Sequence, residues 1–248
     1  MAQKPITILK KPVQNPHNVQ LTKYYIFNET GNIMVASTVD GNAQIETSIQ
    51  DVFAEVAVFF ASMTRAISQT PDPNTPAPHT PYSIYNYEAL SNIISGSGLF
   101  VHVTEEDIEY STETVGIGFS KELIEGLLGL ATGAGELAFA QGMITSMGKA
   151  GLQINQSSTS ASSKVANIVF VFEYLSGMPI ISAIVVYADS KTVAQSFSIG
   201  PCFKEHSTQT SMDMHKDTYL FVTPSSLKKY APDLLTAESN VYEDELVN

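Results

Sequence analysis

The stretch VANIVFVFEYLSGMPIISAIVVYA, Val165 to Ala188, decides the fold. It is rich in β-branched and aromatic residues, and its one interruption is Ser176-Gly177-Met178-Pro179, a turn-forming tetrad. The pattern predicts two long buried strands, Ile168 to Tyr174 and Ile180 to Tyr187, joined as a hairpin. Working outward, TVAQSFSIG just downstream predicts a third strand and DTYLFVTP a fourth, with Pro224-Ser225-Ser226 opening a short terminal helix.

Upstream, TKYYIFNETGNIMVASTVDGN reads as another hairpin, with strands Tyr24 to Phe27 and Ile33 to Val39 and a turn at Glu29-Thr30-Gly31-Asn32. Thr47 and Gln50 have the spacing of a capping box. After them Val52, Val56, Phe59, Phe60, Met63 and Ile67 recur at helical intervals, which predicts a helix packing one face on a sheet. Five prolines in SQTPDPNTPAPHTPYS mark a surface loop at 69–82 within one domain. GLFVHVT and the acidic EDIEYSTETVGIGF predict a further strand pair whose acidic side chains face water.

The centre, SKELIEGLLGLATGAGELAFAQGMITSMGKAG, predicts two helices broken near Gly133-Ala134-Gly135. One presents Leu123, Ile124, Leu127 and Leu128; the other presents Leu137, Ala140, Met143, Ile144 and Met147. Each helical glycine costs about 1 kcal/mol relative to alanine, so close packing of backbone, or a ligand, has to compensate. Glu125, Glu136 and Gln141 interrupt the apolar runs short of a bilayer span. INQSSTSASSK predicts a polar connector. The fold expected is α+β: a mainly antiparallel sheet covered by helices, in a single compact domain over 21–236. An irregular lead-in (1–20) and an acidic tail (237–248) flank it.

With 13 Lys+Arg against 25 Asp+Glu the formal net charge is -12, which argues against nucleic acid and against electrostatic docking on anionic lipid. A single cysteine excludes an internal disulfide. No apolar h-region opens the chain, so synthesis in the cytoplasm is expected, with any export by a non-classical route.

Signatures of chemistry are sparse. His206, Asp213, His215 and Asp217 in EHSTQTSMDMHKD could gather around a metal, but no Cys/His tandem or His-Glu-x-x-His pattern accompanies them, and the stretch reads as a solvated loop. GLATGAG lacks the Gly-Lys-Ser/Thr ending of a phosphate loop. Asn28 and Asn155 head glycosylation-type triplets, which carry no information without a signal peptide. Cys202 and His206 could pair as nucleophile and base, with no third group to orient them. The plain reading of Cys202 is an inert core thiol; the alternative is S-acylation, favoured by Lys204 and His206 nearby. Each buried CH₂ of an acyl chain contributes about 0.8 kcal/mol, in a membrane or in a protein cavity.

The central FSKELIEGLLGLATGAGELAFAQGMITSMGKAGL, the hairpin NIVFVFEYLSGMPIISAIVVYAD and the single downstream cysteine in GPCF together resemble the Evf-type bacterial virulence factors, over about residues 20 to 235. That resemblance implies a non-enzymatic, palmitoylated factor promoting bacterial persistence in an insect host, with Cys202 as the lipid attachment point. The implied partners are a fatty acyl chain and host membrane, with no cofactor beyond the covalent palmitoyl group. Two other expectations stand beside it: a membrane-inserting, pore-forming protein, and a cysteine-dependent enzyme.

Overall fold

The computed structural model describes residues 23–29, 32–37, 47–77, 79–111, 134–160, 162–175, 178–197 and 211–222. Their elements, in chain order, are β1 (Tyr24–Glu29), β2 (Asn32–Ser37), α1 (Thr47–Gln69), α2 (Tyr87–Gly96), β3 (Phe100–Ser111), α3 (Ala134–Ser157), β4 (Lys164–Leu175), β5 (Met178–Asp189), α4 (Ser190–Phe197) and β6 (Ser211–Phe221). The strands form one sheet of order β2-β1-β4-β5-β6-β3. Every neighbouring pair in it is antiparallel. This is the expected α+β class.

Strands β4 and β5 are the hairpin that the apolar run predicts, paired from Lys164↔Asp189 to Leu175↔Met178. Alternation along them sends Val169, Val171, Ile184 and Val186 to one face, under α3 and α4. Ile168, Phe170, Ala183 and Val185 go to the other face, under α1 and α2. Cover on both faces is why these strands read as continuous apolar runs with no polar side to betray a period of two. On α1, Val56, Phe59, Phe60, Met63 and Ile67 are buried as their spacing predicts, with Val52 partly buried against the same cluster. On α3, Ala140, Met143, Ile144 and Met147 are likewise buried, and Phe139, Ala150 and Ile154 extend the stripe. No described helix is long and apolar enough to cross a membrane.

The proline-rich loop is fastened down. Pro71 and Pro81 form a β-bridge, and the Asp72 amide donates to the Thr80 carbonyl at 2.8 Å. The Thr159 amide, beyond α3, donates to the Asn74 carbonyl at 2.7 Å. The loop ends where the Ala166 amide of β4 donates to the Tyr85 carbonyl at 2.8 Å. Asn86, bridged to Val165, then caps α2 by accepting from the Ala89 amide at 3.2 Å.

Four expectations need correction. As far as Ser111 the acidic stretch after Thr104 belongs to one continuous strand, β3, rather than to the second strand of a pair, and its remainder lies outside the described residues. TVAQSFSIG is not a strand through its first half: Ser190–Phe197 is helix α4. Asp189 caps that helix, accepting from the Thr192 amide at 2.9 Å and the Thr192 hydroxyl at 3.0 Å. The loop assigned to EHSTQTSMDMHKD gives way from Ser211 onward to strand β6. Helix α3 runs through Ser157, so the polar connector is shorter than its composition suggests. The first of the two central helices, the terminal helix after Pro224, the lead-in and the acidic tail lie outside the described residues.

Candidate functional site: a buried carboxylate beneath an aromatic rim

Cross-strand register gathers chemistry at one end of the α1/α2 face. Tyr187 of β5 stands opposite His215 of β6, which stands opposite Asp107 of β3. The next row is Val185, Asp217 and Glu105; the one after it is Ala183, Tyr219 and His102. Residues opposed in an antiparallel pair share a face, so the three rows form one surface. A register shift between His102 and Thr104 is what brings both His102 and Glu105 onto it. Helix α2 adds Tyr87, its first residue, set in place by the Asn86 cap.

The rings and charges interlock. Tyr87 and Tyr187 have centroids 4.1 Å apart, and Tyr187 stacks on His215 at 4.8 Å. His215 Nδ1 lies 2.5 Å from Asp107 Oδ1. The Lys164 ammonium sits over both tyrosine rings, 5.3 Å from Tyr87 and 5.1 Å from Tyr187. His102 meets Tyr219 edge-on at 5.2 Å.

Asp217 lies at the bottom, only 7% exposed, and its Oδ1 is buried without a hydrogen-bond partner among the described residues. Burial holds its carboxyl above the usual aspartate range, and the charge of Glu105 pushes the same way. His102, His215 and the Tyr219 hydroxyl oppose the rise in part. Burial, and then the Asp217 charge, pushes Tyr219 up to about 12. Tyr187 is raised by burial first and by its hydrogen bond with Tyr87 second.

A stability prediction follows from the sign of the Asp217 shift. The folded state holds the Asp217 proton more tightly than the unfolded chain, so the penalty is absent below pH 3.8, the ordinary value, and grows as pH rises through the folded value. Asp217→Asn copies the neutral form. At pH 7 it is expected to stabilise the chain by about 1 kcal/mol, or about 2–4 °C in thermal midpoint. Melts repeated at falling pH should show the gain shrink toward zero near pH 4.

Of the candidate metal ligands, Asp213, His215 and Asp217 do share one face of β6, since they alternate along a strand. Alternate residues are about 6.8 Å apart, too far to converge on one ion unaided. Among the described residues no group of three or more His, Cys, Asp or Glu is arranged to hold a metal. His206 lies outside the described residues, as do Cys202 and Lys204 and with them the acylation and nucleophile readings. Tyr87, His102, Glu105, Tyr187 and Tyr219 went unnoticed in the sequence. Their one local signal was the density of acid beside histidine on β3.

A family model described as zygote formation protein zyg1 matches residues 6–244. The chain belongs to that family. The zygote formation protein zyg1 of Dictyostelium mucoroides is 27% identical over 205 residues, which cover 82% of this chain and 70% of that protein. No solved structure matches.

Membership in the zyg1 family overturns the resemblance to Evf-type virulence factors and the function drawn from it. The chain is not assigned to bacterial virulence, insect-host persistence or a toxin-like lipoprotein, and the pore-forming and cysteine-enzyme expectations are set aside with that assignment. The misreading has a physical origin. Glycine-rich apolar helices beside a buried hairpin are generic to helix-covered sheets, and one cysteine downstream adds no geometry.

Proposed function

We propose that this chain serves zygote formation, the process for which its Dictyostelium mucoroides relative is named, and that it acts there as a binding protein rather than an enzyme. The partner docks on the β5-β6-β3 end of the sheet. One observation carries this reading: among the described residues Asp217 keeps a buried oxygen without a partner, at the floor of a surface rimmed by His102, Glu105 and Asp107, all exposed. A carboxylate placed for stability alone would have its hydrogen bonds satisfied within the fold. The net charge of -12 favours a basic partner and speeds its approach.

The test is genetic. Disruption of the gene in its own organism is expected to lower zygote numbers, with recovery on return of the wild-type gene. A gene carrying Glu105→Gln together with Asp217→Asn is expected not to restore them, although its product accumulates to the normal level. Undiminished zygote numbers after disruption would reject the process. Full restoration by the double variant would reject this surface.

A further inference from the structure

We propose that Asp217 and Glu105, with the rings of Tyr219 and His102 beside them, form a receptor for a single alkylammonium group. The proposal deepens the reading above and rests on it for its biological setting alone.

The first ground is an uncompensated pair of acids. Glu105 and Asp217 stand directly opposite on adjacent strands, and like charges so placed destabilise a sheet. Among the described residues neither has an ion-pair partner within 4.0 Å. The neighbouring carboxylates are treated otherwise: Asp107 is paired to His215 at 2.5 Å, and Glu106, on the opposite face, to Lys216 at 3.4 Å. The strand pair thus compensates Glu106 and Asp107, the two acids that follow Glu105, and leaves the Glu105–Asp217 position open to a cation.

The second ground is the geometry of donors and acceptors. Asp217 Oδ1 is buried and, among the described residues, unpartnered, and a primary ammonium brings three donors on a compact head. One donor meets Oδ1, another the Glu105 carboxylate, and a third the Tyr219 oxygen, which lies within hydrogen-bonding reach of Asp217. At the buried floor Asp217 offers one free oxygen among the described residues, enough for a single ammonium N–H but not for a guanidinium fork, which finds two parallel acceptors only at the exposed Glu105 carboxylate.

The third ground is the rings. Tyrosine faces attract cations, as the same surface shows where the Tyr87 and Tyr187 faces hold a primary ammonium, that of Lys164; with those two rings taken, Tyr219 and His102, edge-on to each other at 5.2 Å, are the rings left beside the two acids. Entry runs past His102 and Glu105, which are exposed on β3, a strand at the end of the sheet order. Their side chains can turn aside without moving the backbone. Such a group comes from the lysine side chain of a protein or from a free polyamine, and the chemistry is shared.

The test is a titration of the full chain with n-butylammonium chloride at constant ionic strength, followed by NMR at His102 and Tyr219, with potassium chloride as the control. Saturable shifts absent from the control are expected. Glu105→Gln and Asp217→Asn are each expected to weaken binding at least tenfold, and Glu106→Gln to leave it unchanged. Because Glu105 is exposed, its variant keeps the test valid should Asp217→Asn fail to fold. Tighter binding of an acetylated Ala-Lys-Ala amide than of spermidine supports a protein lysine as the source; the reverse order supports a polyamine. Shifts identical to those with potassium, or binding undiminished in both site variants, overturn the receptor. The two readings fail separately. A chain needed for zygotes that binds no amine loses the receptor and keeps the role. One that binds amine through Glu105 but is dispensable for zygotes keeps the receptor and loses the role.

Discussion

Phe170→Ala is expected to cost about 3–5 kcal/mol, a large share of the total stability of about 5–15 kcal/mol typical of a domain. Phe170 is fully buried in the middle of β4. Its ring meets Phe221 at 4.9 Å, Phe60 at 5.2 Å and Phe59 at 5.5 Å, all edge-on. Such pairs add about 0.5–1.5 kcal/mol each beyond the area they bury. The hole left by alanine cannot close easily, because β4 is pinned by β1 on one side and β5 on the other. Helix α1 above it is likewise held by Val56, Met63 and Ile67. Urea unfolding followed by circular dichroism or tyrosine fluorescence, in a chain without tryptophan, measures the loss as a drop in midpoint at constant slope. Val58→Ala, on the solvent side of α1 at 65% exposure, is the control and should stay within about 0.5 kcal/mol.

That contrast also shows which parts of the fold could be read from the sequence. Where one physical cause dominated over many residues, the pattern sufficed. The period of α1 is set by a single buried stripe, and β4 and β5 are apolar because helices cover both their faces. Where a single local contact decides, composition misled. Thr192, Val193 and Phe197 are strand-favouring residue types, yet the Asp189 carboxylate on the Thr192 amide starts a helix there; the Asp-Ser-Lys-Thr sequence is the available sign. Strand β3 has exposed residues on successive positions from Val101 to Asp107, so it shows no alternation and looked like two pieces. The candidate site was less legible still. His215 and Asp217 stood out by residue type. Their partners come from four other segments, the start of α2 and strands β3, β4 and β5, and only register, which no local pattern encodes, places Glu105 opposite Asp217. The proline-rich loop misled in another way, since prolines report fixed φ angles and say nothing of the bonds that tie Asn74 to Thr159.

Replacement of the α3 glycines separates two kinds of close approach and gives the second large effect. Gly151→Val is expected to destabilise the chain by about 2–3 kcal/mol. A Cβ at 151 would stand 3.1 Å from Val193 Cγ1 and 3.2 Å from the Ser190 carbonyl oxygen, both on α4. That oxygen cannot withdraw alone. The Ser190 amide donates to the Ser163 carbonyl at 3.0 Å and the two serine hydroxyls bond at 2.8 Å, so relief means shifting α4 and the start of β4 together. Val193, fully buried, has no space to turn into. Gly142 differs. Its Cβ would come 2.8 Å from Met34 Sδ and 3.0 Å from Cε, the far end of a flexible side chain on β2, a strand at the end of the sheet order. Gly142→Ala should therefore gain most of the roughly 1 kcal/mol of helix propensity and lose little by moving the thioether. Thermal melts are expected to rank Gly142→Ala at or above wild type, Gly151→Ala below it and Gly151→Val lowest. The expectation that close packing compensates for glycine in an apolar helix thus holds at 151, where the neighbours are the Ser190 carbonyl and a fully buried valine. If Gly151→Val melted with wild type, α3 and α4 would have to be free to separate, and the layer that covers Val186 and Ala188 would not be fixed by this crossing.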